Sequence, residues 1–152
     1  VVLGGHLVKS SSSNQAVVAL SSGEAEYYSL VKGSSVGTGL VALAEDMGVT
    51  MNEPIEVRTD ASAAVGIGNR IGSGKIRHIE VNQLWVQEKV AAGKIRIVKV
   101  HTDENLADAL TKAVNAEAID RHLAGVACEA RSDRHPLAPK IEESNRADGG
   151  PQ

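Results

Sequence analysis

Ser21-Ser22-Gly23-Glu24-Ala25-Glu26-Tyr27-Tyr28 fixes a helix start, and the elements on either side can be placed from it. Ser21 precedes Glu24 by three residues, the spacing of a capping box: the serine hydroxyl takes a first-turn amide and the glutamate reaches back to the serine's own amide. A helix is predicted from there to Gly48, where a glycine C-cap is natural. Its apolar or small positions are Ala25, Tyr28, Ser29, Val31, Leu40, Leu43, Ala44 and Met47, and the glycines along it predict a kink near Gly37.

Upstream of the helix, Val1 to Leu3, the turn pair Gly4-Gly5 and His6 to Ser10 predict a hairpin. Ala16 to Leu20, alternating and β-branched, predicts another strand. Downstream, Ile55 to Thr59 is a short strand ended by Asp60, and Ala61 to Ile67 allows one or two helical turns. A glycine-rich loop follows, then a helix over Ile79 to Ala92 closed by Gly93. Ile95 to Val100 alternates as a half-buried strand, and Thr102 or Asp103 is a candidate cap for a last helix from Glu104 to Lys112, with more helix to Leu123. This order predicts an α/β (α+β) fold, a sheet with helices on its faces.

With 152 residues, 42% apolar and 23% charged, the chain has room for one globular domain. That domain is expected over 1–128. Over 129–152 the only large apolar residues are Leu137 and Ile141, so the stretch is expected to form a disordered tail. No apolar run is long enough to suggest a membrane span. Cys128 is the sole cysteine, which excludes a disulfide framework or a cysteine-based zinc site. Phe is absent and Tyr27, Tyr28 and Trp85 are the only aromatic residues, too few for a platform that stacks successive bases. Net charge is −3, yet Arg70, Lys75, Arg77, Lys89, Lys94, Arg96 and Lys99 face only Glu80 and Glu88 over that span, which could therefore meet phosphate.

Three acids stand where a sheet protein gathers a site. Glu26 lies in the first turns of the capped helix, Asp60 at the carboxyl end of a strand, and Asp108 among small apolar neighbours. Clustered carboxylates would bind a divalent cation, which offsets their repulsion. The alternative is structural: Asp60 as a helix cap, Glu26 as a helix-start acid favoured by the dipole, and Asp108 as a solvated helix residue. The glycines from Gly66 to Gly72 miss the dinucleotide spacing, Gly74-Lys75-Ile76 lacks a phosphate-loop pattern, and Ser12 with His78 and Asp60 has no nucleophile elbow to support a triad. His6, His78, His101, His122 and His135 show no paired metal spacing.

Val18-Ala19-Leu20-Ser21-Ser22-Gly23-Glu24-Ala25-Glu26-Tyr27 resembles the signature of the ribonuclease H domain of copia-type retrotransposon Pol polyproteins. Thr59-Asp60 with Ser62-Ala63 looks like its second acidic strand, Arg77-His78-Ile79-Glu80 resembles its basic-His-Ile-acid motif, and Ala107-Asp108-Ala109-Leu110-Thr111-Lys112 its terminal motif. His6-Leu7-Val8-Lys9-Ser10 with Ser12, Ser13 and Gln15 resembles its third strand. The resemblance covers about residues 1 to 125.

It implies a mixed five-stranded ribonuclease H-like sheet flanked by helices, and hydrolysis of RNA in an RNA–DNA hybrid with two Mg²⁺ (or Mn²⁺) ions. Glu26, Asp60 and Asp108 would be the catalytic and metal-binding acids, Glu24 the capping acid, and His101 would stand near a mobile catalytic histidine. Lys75, Arg77, His78 and Lys99 would contact the hybrid. The family's first strand, with its first metal-binding Asp, would precede Val1, and Ser11 stands where the family commonly has Trp. The expected domain is thus N-terminally truncated, and the isolated chain is expected to fold poorly and cut little. The reverse transcriptase of the same polyprotein would be a partner, in a cytoplasmic particle or the nucleus, with no membrane. The competing readings are a non-catalytic transposon-derived remnant or binding module and, on the glycine-rich loop alone, a small nucleotide-binding domain.

Overall fold

A computed structural model of the chain describes residues 1–72, 74, 79, 81–108 and 113–129. The predicted tail, apart from Glu129, and the basic residues Lys75, Arg77 and His78 lie outside the described residues. The fold is mixed α/β, as the element order predicts, with strands β1 (Val2–Leu3), β2 (His6–Leu7), β3 (Ile55–Thr59) and β4 (Ile95–Lys99), and helices α1 (Ser22–Asp46), α2 (Ser62–Gly68), α3 (Trp85–Ala91) and α4 (Ala116–Gly125).

β3 and β4 pair in parallel, Ile55 opposite Ile95 and Thr59 opposite Lys99. A parallel pair needs a long crossover, and α2 and α3 supply it. Strand side chains alternate between faces. Val57 and Ile97 therefore share one face and join a core of Tyr27, Leu30, Val31, Ala64, Ile67, Ile79 and Val86 from the helix side. The other face is charged. Glu56 there receives Arg58 at 2.7 Å and, across the ladder, Arg96 at 2.6 Å, and these hydrogen bonds, Arg58 first, hold its carboxyl below the usual carboxylate range.

α1 starts and stops where the sequence predicts, although it runs unbroken through Gly37. Its end is a Schellman motif: Val49 N–H donates to the Ala44 carbonyl and Gly48 N–H to Glu45, both at 2.9 Å, with Gly48 at φ +79°. The third predicted helix begins later than its apolar pattern. A continuous helix would give the Gln83 carbonyl to the Gln87 amide, but the Tyr27 hydroxyl donates to it at 2.9 Å and the Gln87 amide turns to Leu84. The first turn is therefore a 3₁₀ helix, Val81–Gln83. The Gln87 side chain, 5% exposed, donates to the Ile67 and Gly72 carbonyls and accepts from Gly72 N–H, pinning the glycine-rich loop from inside.

Two expectations are corrected. Ala16 to Leu20 forms no strand: Val18 is 85% exposed and Leu20 68%, and among the described residues no strand pairs with the stretch. Among the described residues the strands form two pairs, β1–β2 and β3–β4, small sheets compatible with the mixed, truncated sheet expected. Thr102 and Asp103 belong to a 3₁₀ turn, Thr102–Glu104, and cap no helix that runs on from Glu104; residues 109–112 of that predicted helix lie outside the described residues, and the helix toward Leu123 is α4, capped by Asn115, whose Oδ1 accepts from Ala118 N–H at 2.9 Å.

α1 crosses the start of α2 so closely that a Cβ at position 23 would lie 2.8 Å from that of Ala63. Gly23→Ala is expected to cost about 1–3 kcal/mol by overpacking, despite the better helix propensity of alanine. Urea unfolding checks this, and adding Ala63→Gly should restore the midpoint.

Tyr27 is fully buried, which pushes its phenol up to about 12 while nearby Arg70 pulls weakly the other way. The folded state thus holds this proton more tightly than the unfolded chain, whose phenol keeps the ordinary value of 10.0. Its contribution is complete below pH 10 and is lost as pH rises through about 12. Tyr27→Phe should remove that part of the alkaline fall in a series of urea midpoints.

Candidate functional site

The carboxyl ends of parallel strands collect chain turns and leave a crevice between them. Here β3 delivers Asp60, β4 delivers Lys99 and then His101, and the turn that follows delivers Asn105 and Asp108. The ladder continues one step past the strands, Val100 N–H donating to the Thr59 carbonyl at 3.0 Å, so these ends are held together.

Asp60 is half-buried and is not a helix cap: α2 is capped at Ala61 without a side-chain bond, and Thr59 Oγ1 accepts from Ala61 N–H at 3.2 Å instead. Asp108 is half-buried too. The two acids meet on one residue. Asn105 Nδ2 donates to Asp60 Oδ1 and to Asp108 Oδ1, each at 3.2 Å, so these two oxygens lie no farther apart than twice that distance. Asn105 escaped the sequence reading. Its signal is an Asx turn, its Oδ1 accepting from the amide of Ala107 two residues on at 3.3 Å.

Glu26 stands apart from this pair's bonding. It is exposed, one turn before buried Leu30, at the flank of the apolar stripe of α1. Among the described residues no three Asp, Glu, His or Cys side chains are close enough to hold one metal ion. The Gly23–Ala63 crossing nevertheless sets the first turns of α1 beside the start of α2, three residues past Asp60.

Glu24 has the structural task the capping box gives it, with one change. Its Oε2 accepts from Leu20 N–H at 2.8 Å, one residue before the cap, while Oε1 accepts from the Tyr28 hydroxyl at 2.7 Å and Ser21 Oγ accepts from Glu24 N–H.

Lys99, placed among the substrate contacts, donates to Ser62 Oγ at 2.6 Å on the exposed side of the same strand end. His101 is exposed and folds onto Asp103, its Nδ1 3.3 Å from the carboxylate. A second cation, Arg121 of α4, lines a shallow groove with Arg58, Val100, Asp103, Glu104, Leu106 and Gly125 beside the acid pair's turn.

As donors, Asp60 and Asp108 fit a hard divalent cation. Both offer carboxylate oxygen and both stay partly open to solvent. The described residues supply no third carboxylate to the pair.

The architecture thus defines a mixed α/β domain with an acid pair at the carboxyl ends of two parallel strands. Its homologues are retrovirus-related Pol polyproteins of transposons. The chain is 32% identical over 119 residues to the Pol polyprotein from transposon RE1 of Arabidopsis thaliana, covering 78% of this chain and 8% of that protein. Identity to the RE2 polyprotein of the same plant is 32% over 116 residues, 76% of this chain and 8% of the relative. Against transposon TNT 1-94 of Nicotiana tabacum it is 32% over 101 residues, 66% of this chain. The chain therefore spans about 8% of the length of these relatives. No family model and no solved structure matches it. Among the described residues no helix is long and apolar enough to cross a membrane.

The two neighbouring glutamates should separate on substitution. Glu24→Gln turns one buried charge-assisted acceptor into a donor facing a donor and is expected to cost about 1.5–3 kcal/mol. Glu26→Gln, on the exposed flank, should stay within about 0.5 kcal/mol. Urea unfolding of both variants checks the contrast.

Proposed function

We propose that this chain is a ribonuclease H-type segment of a retroelement Pol polyprotein, acting on the RNA strand of RNA–DNA hybrids. The observation that carries the reading is the meeting of Asp60 and Asp108 on Asn105 at the strand ends. These two acids come from motifs far apart in sequence, and the relatives are Pol polyproteins.

Asp60 and Asp108 would hold a divalent cation, Mg²⁺ or Mn²⁺, with Glu26 completing a two-ion site. Such ions, when bound, supply an activated water and stabilise the leaving oxygen. Lys99 brings positive charge to the same strand end and, with Lys75, Arg77 and His78, would take the hybrid's phosphates. His101, exposed and two residues beyond Lys99, can hold a proton at the edge of the site. A hybrid read through its shape and 2′-hydroxyls needs few aromatic side chains, in keeping with the three present. The reverse transcriptase part of the same polyprotein would be the partner, inside the cell in a cytoplasmic particle or the nucleus.

A second reading, a transposon-derived remnant without catalysis, is favoured by one observation: no three-carboxylate group forms among the described residues.

The test is cleavage of a hybrid with labelled RNA in Mg²⁺, by the chain alone and within a longer Pol segment. Cleavage by the longer segment that Asp60→Asn or Asp108→Asn reduces by at least about a hundredfold, near 2.7 kcal/mol of barrier, supports the ribonuclease. Cation and hybrid binding without cutting in either form supports the remnant, and cutting that ignores both substitutions overturns the assignment of the acids.

A further inference from the structure

We infer that Tyr27, Gln83 and Gln87 form a conformational relay, through which the Tyr27 hydroxyl of α1 decides whether the glycine-rich loop is latched to α3. The relay is independent of the cation site proposed above.

The latch is the Gln87 side chain. Its Nε2 donates to the Ile67 carbonyl at 2.8 Å and to the Gly72 carbonyl at 3.1 Å, and its Oε1 accepts from Gly72 N–H at 2.8 Å. A flipped amide would set donor against donor at Gly72 N–H and acceptor against acceptor at Ile67, so the bonding pattern fixes its orientation. Gly72, at φ +81°, takes a backbone conformation that favours glycine, and there both its N–H and its carbonyl reach this one side chain. Gln87 is 5% exposed, so solvent cannot replace a bond that breaks, and the three bonds hold or fail together.

The hydroxyl reaches the latch through helix register. In a continuous helix the Gln83 carbonyl would take Gln87 N–H. It accepts instead from the Tyr27 hydroxyl at 2.9 Å, and Gln87 N–H donates to the Leu84 carbonyl at 3.0 Å. Val81–Gln83 is accordingly a 3₁₀ turn, an irregularity that often marks a hinge. Rewound as α-helix, each of its residues would rise about 0.5 Å less and turn about 20° less. Ile79 before the turn and Val86 after it are both held in the core, so the change falls on one of these anchors. Gln87 follows Val86 directly, and bonds of 2.8–3.1 Å do not survive such a displacement summed over a turn. Two registers therefore correspond to two states of the loop, and the hydroxyl on Gln83 selects the latched one.

Amide hydrogen exchange of the 152-residue chain, resolved by residue in NMR, tests the relay. The reporter is Gly72 N–H, and the reference is Val100 N–H, which donates to the Thr59 carbonyl at the end of the parallel pair. Gln87→Met removes all three bonds at similar volume and should raise the Gly72 rate, relative to Val100, by about tenfold. Tyr27→Phe keeps the ring in the core and touches neither Gly72 nor Gln87, yet it should raise the same ratio by a similar factor. The double variant should exchange no faster at Gly72 than Gln87→Met alone, because both changes act on one latch. Val31→Ala, which weakens the core without touching the relay, should leave the ratio as in wild type. A wild-type ratio in Tyr27→Phe, including the case where both amides quicken equally, would overturn the relay, as would full additivity in the double variant. A wild-type ratio in Gln87→Met would overturn the latch itself.

Discussion

The Tyr27 hydroxyl donates to the Gln83 carbonyl from a side chain with no exposed surface, and the positions of three helices depend on that placement. The ring belongs to the cluster that joins α1 to Ala64 and Ile67 of α2 and to Val86 of α3. Burying such a side chain stabilises by about 1.5–3 kcal/mol, but only if its hydroxyl finds an acceptor, since a stranded polar group costs about as much. Gln83 supplies the acceptor, and the 3₁₀ turn before α3 follows. Trp85 and Val90 then pack against the same core cluster as Ile97 of the sheet. The crossover between the parallel strands is thereby tied to α1, and the register of β3 on β4 fixes the strand ends that carry the acids.

Much of this was legible in the sequence, because it is governed by short-range rules. The capping box at Ser21, the glycine close of α1, the Gly4-Gly5 turn with φ of +56° and +84°, and both strands of the parallel pair rest on local chemistry or strict alternation. What was not legible depends on partners distant in sequence. The Gln83 carbonyl is diverted by a residue 56 positions away, and Asn105 acquires its meaning from Asp60, 45 positions away. Ala16 to Leu20 has the alternation of a strand, but alternation states which face would be buried and not whether a neighbour is present to pair.

The first twenty residues show what replaces a ladder when pairing does not occur. Leu7 N–H donates to the Val126 carbonyl at 3.2 Å, which ties the hairpin to the end of α4. Gln15 Nε2 donates to the Ala25 carbonyl at 2.7 Å, and Lys32 Nζ to Ser13 Oγ at 2.6 Å, which lay the serine-rich stretch along α1. One is a backbone bond and two are side-chain bonds at exposed positions, each contributing about 0.5–1.5 kcal/mol net. They hold the segment in place without covering Val2, Leu3, Val8 or Val18, all of them well exposed.

Two glutamates two positions apart show how a helix divides roles. At 3.6 residues per turn, such neighbours point to nearly opposite sides. Once Glu24 turns inward to accept from Leu20 N–H and the Tyr28 hydroxyl, Glu26 must leave the buried stripe. The fixed start of α1 therefore determines which acid is available to solvent. A carboxylate already holding two protein donors is poorly placed to serve a mobile ligand, because binding would first have to break those bonds. The exposed neighbour has no such cost, and its backbone is held rigid by the cap that immobilises the other. The capping box thus both begins the helix and, by angle alone, leaves Glu26 as the exposed acid of its first turns.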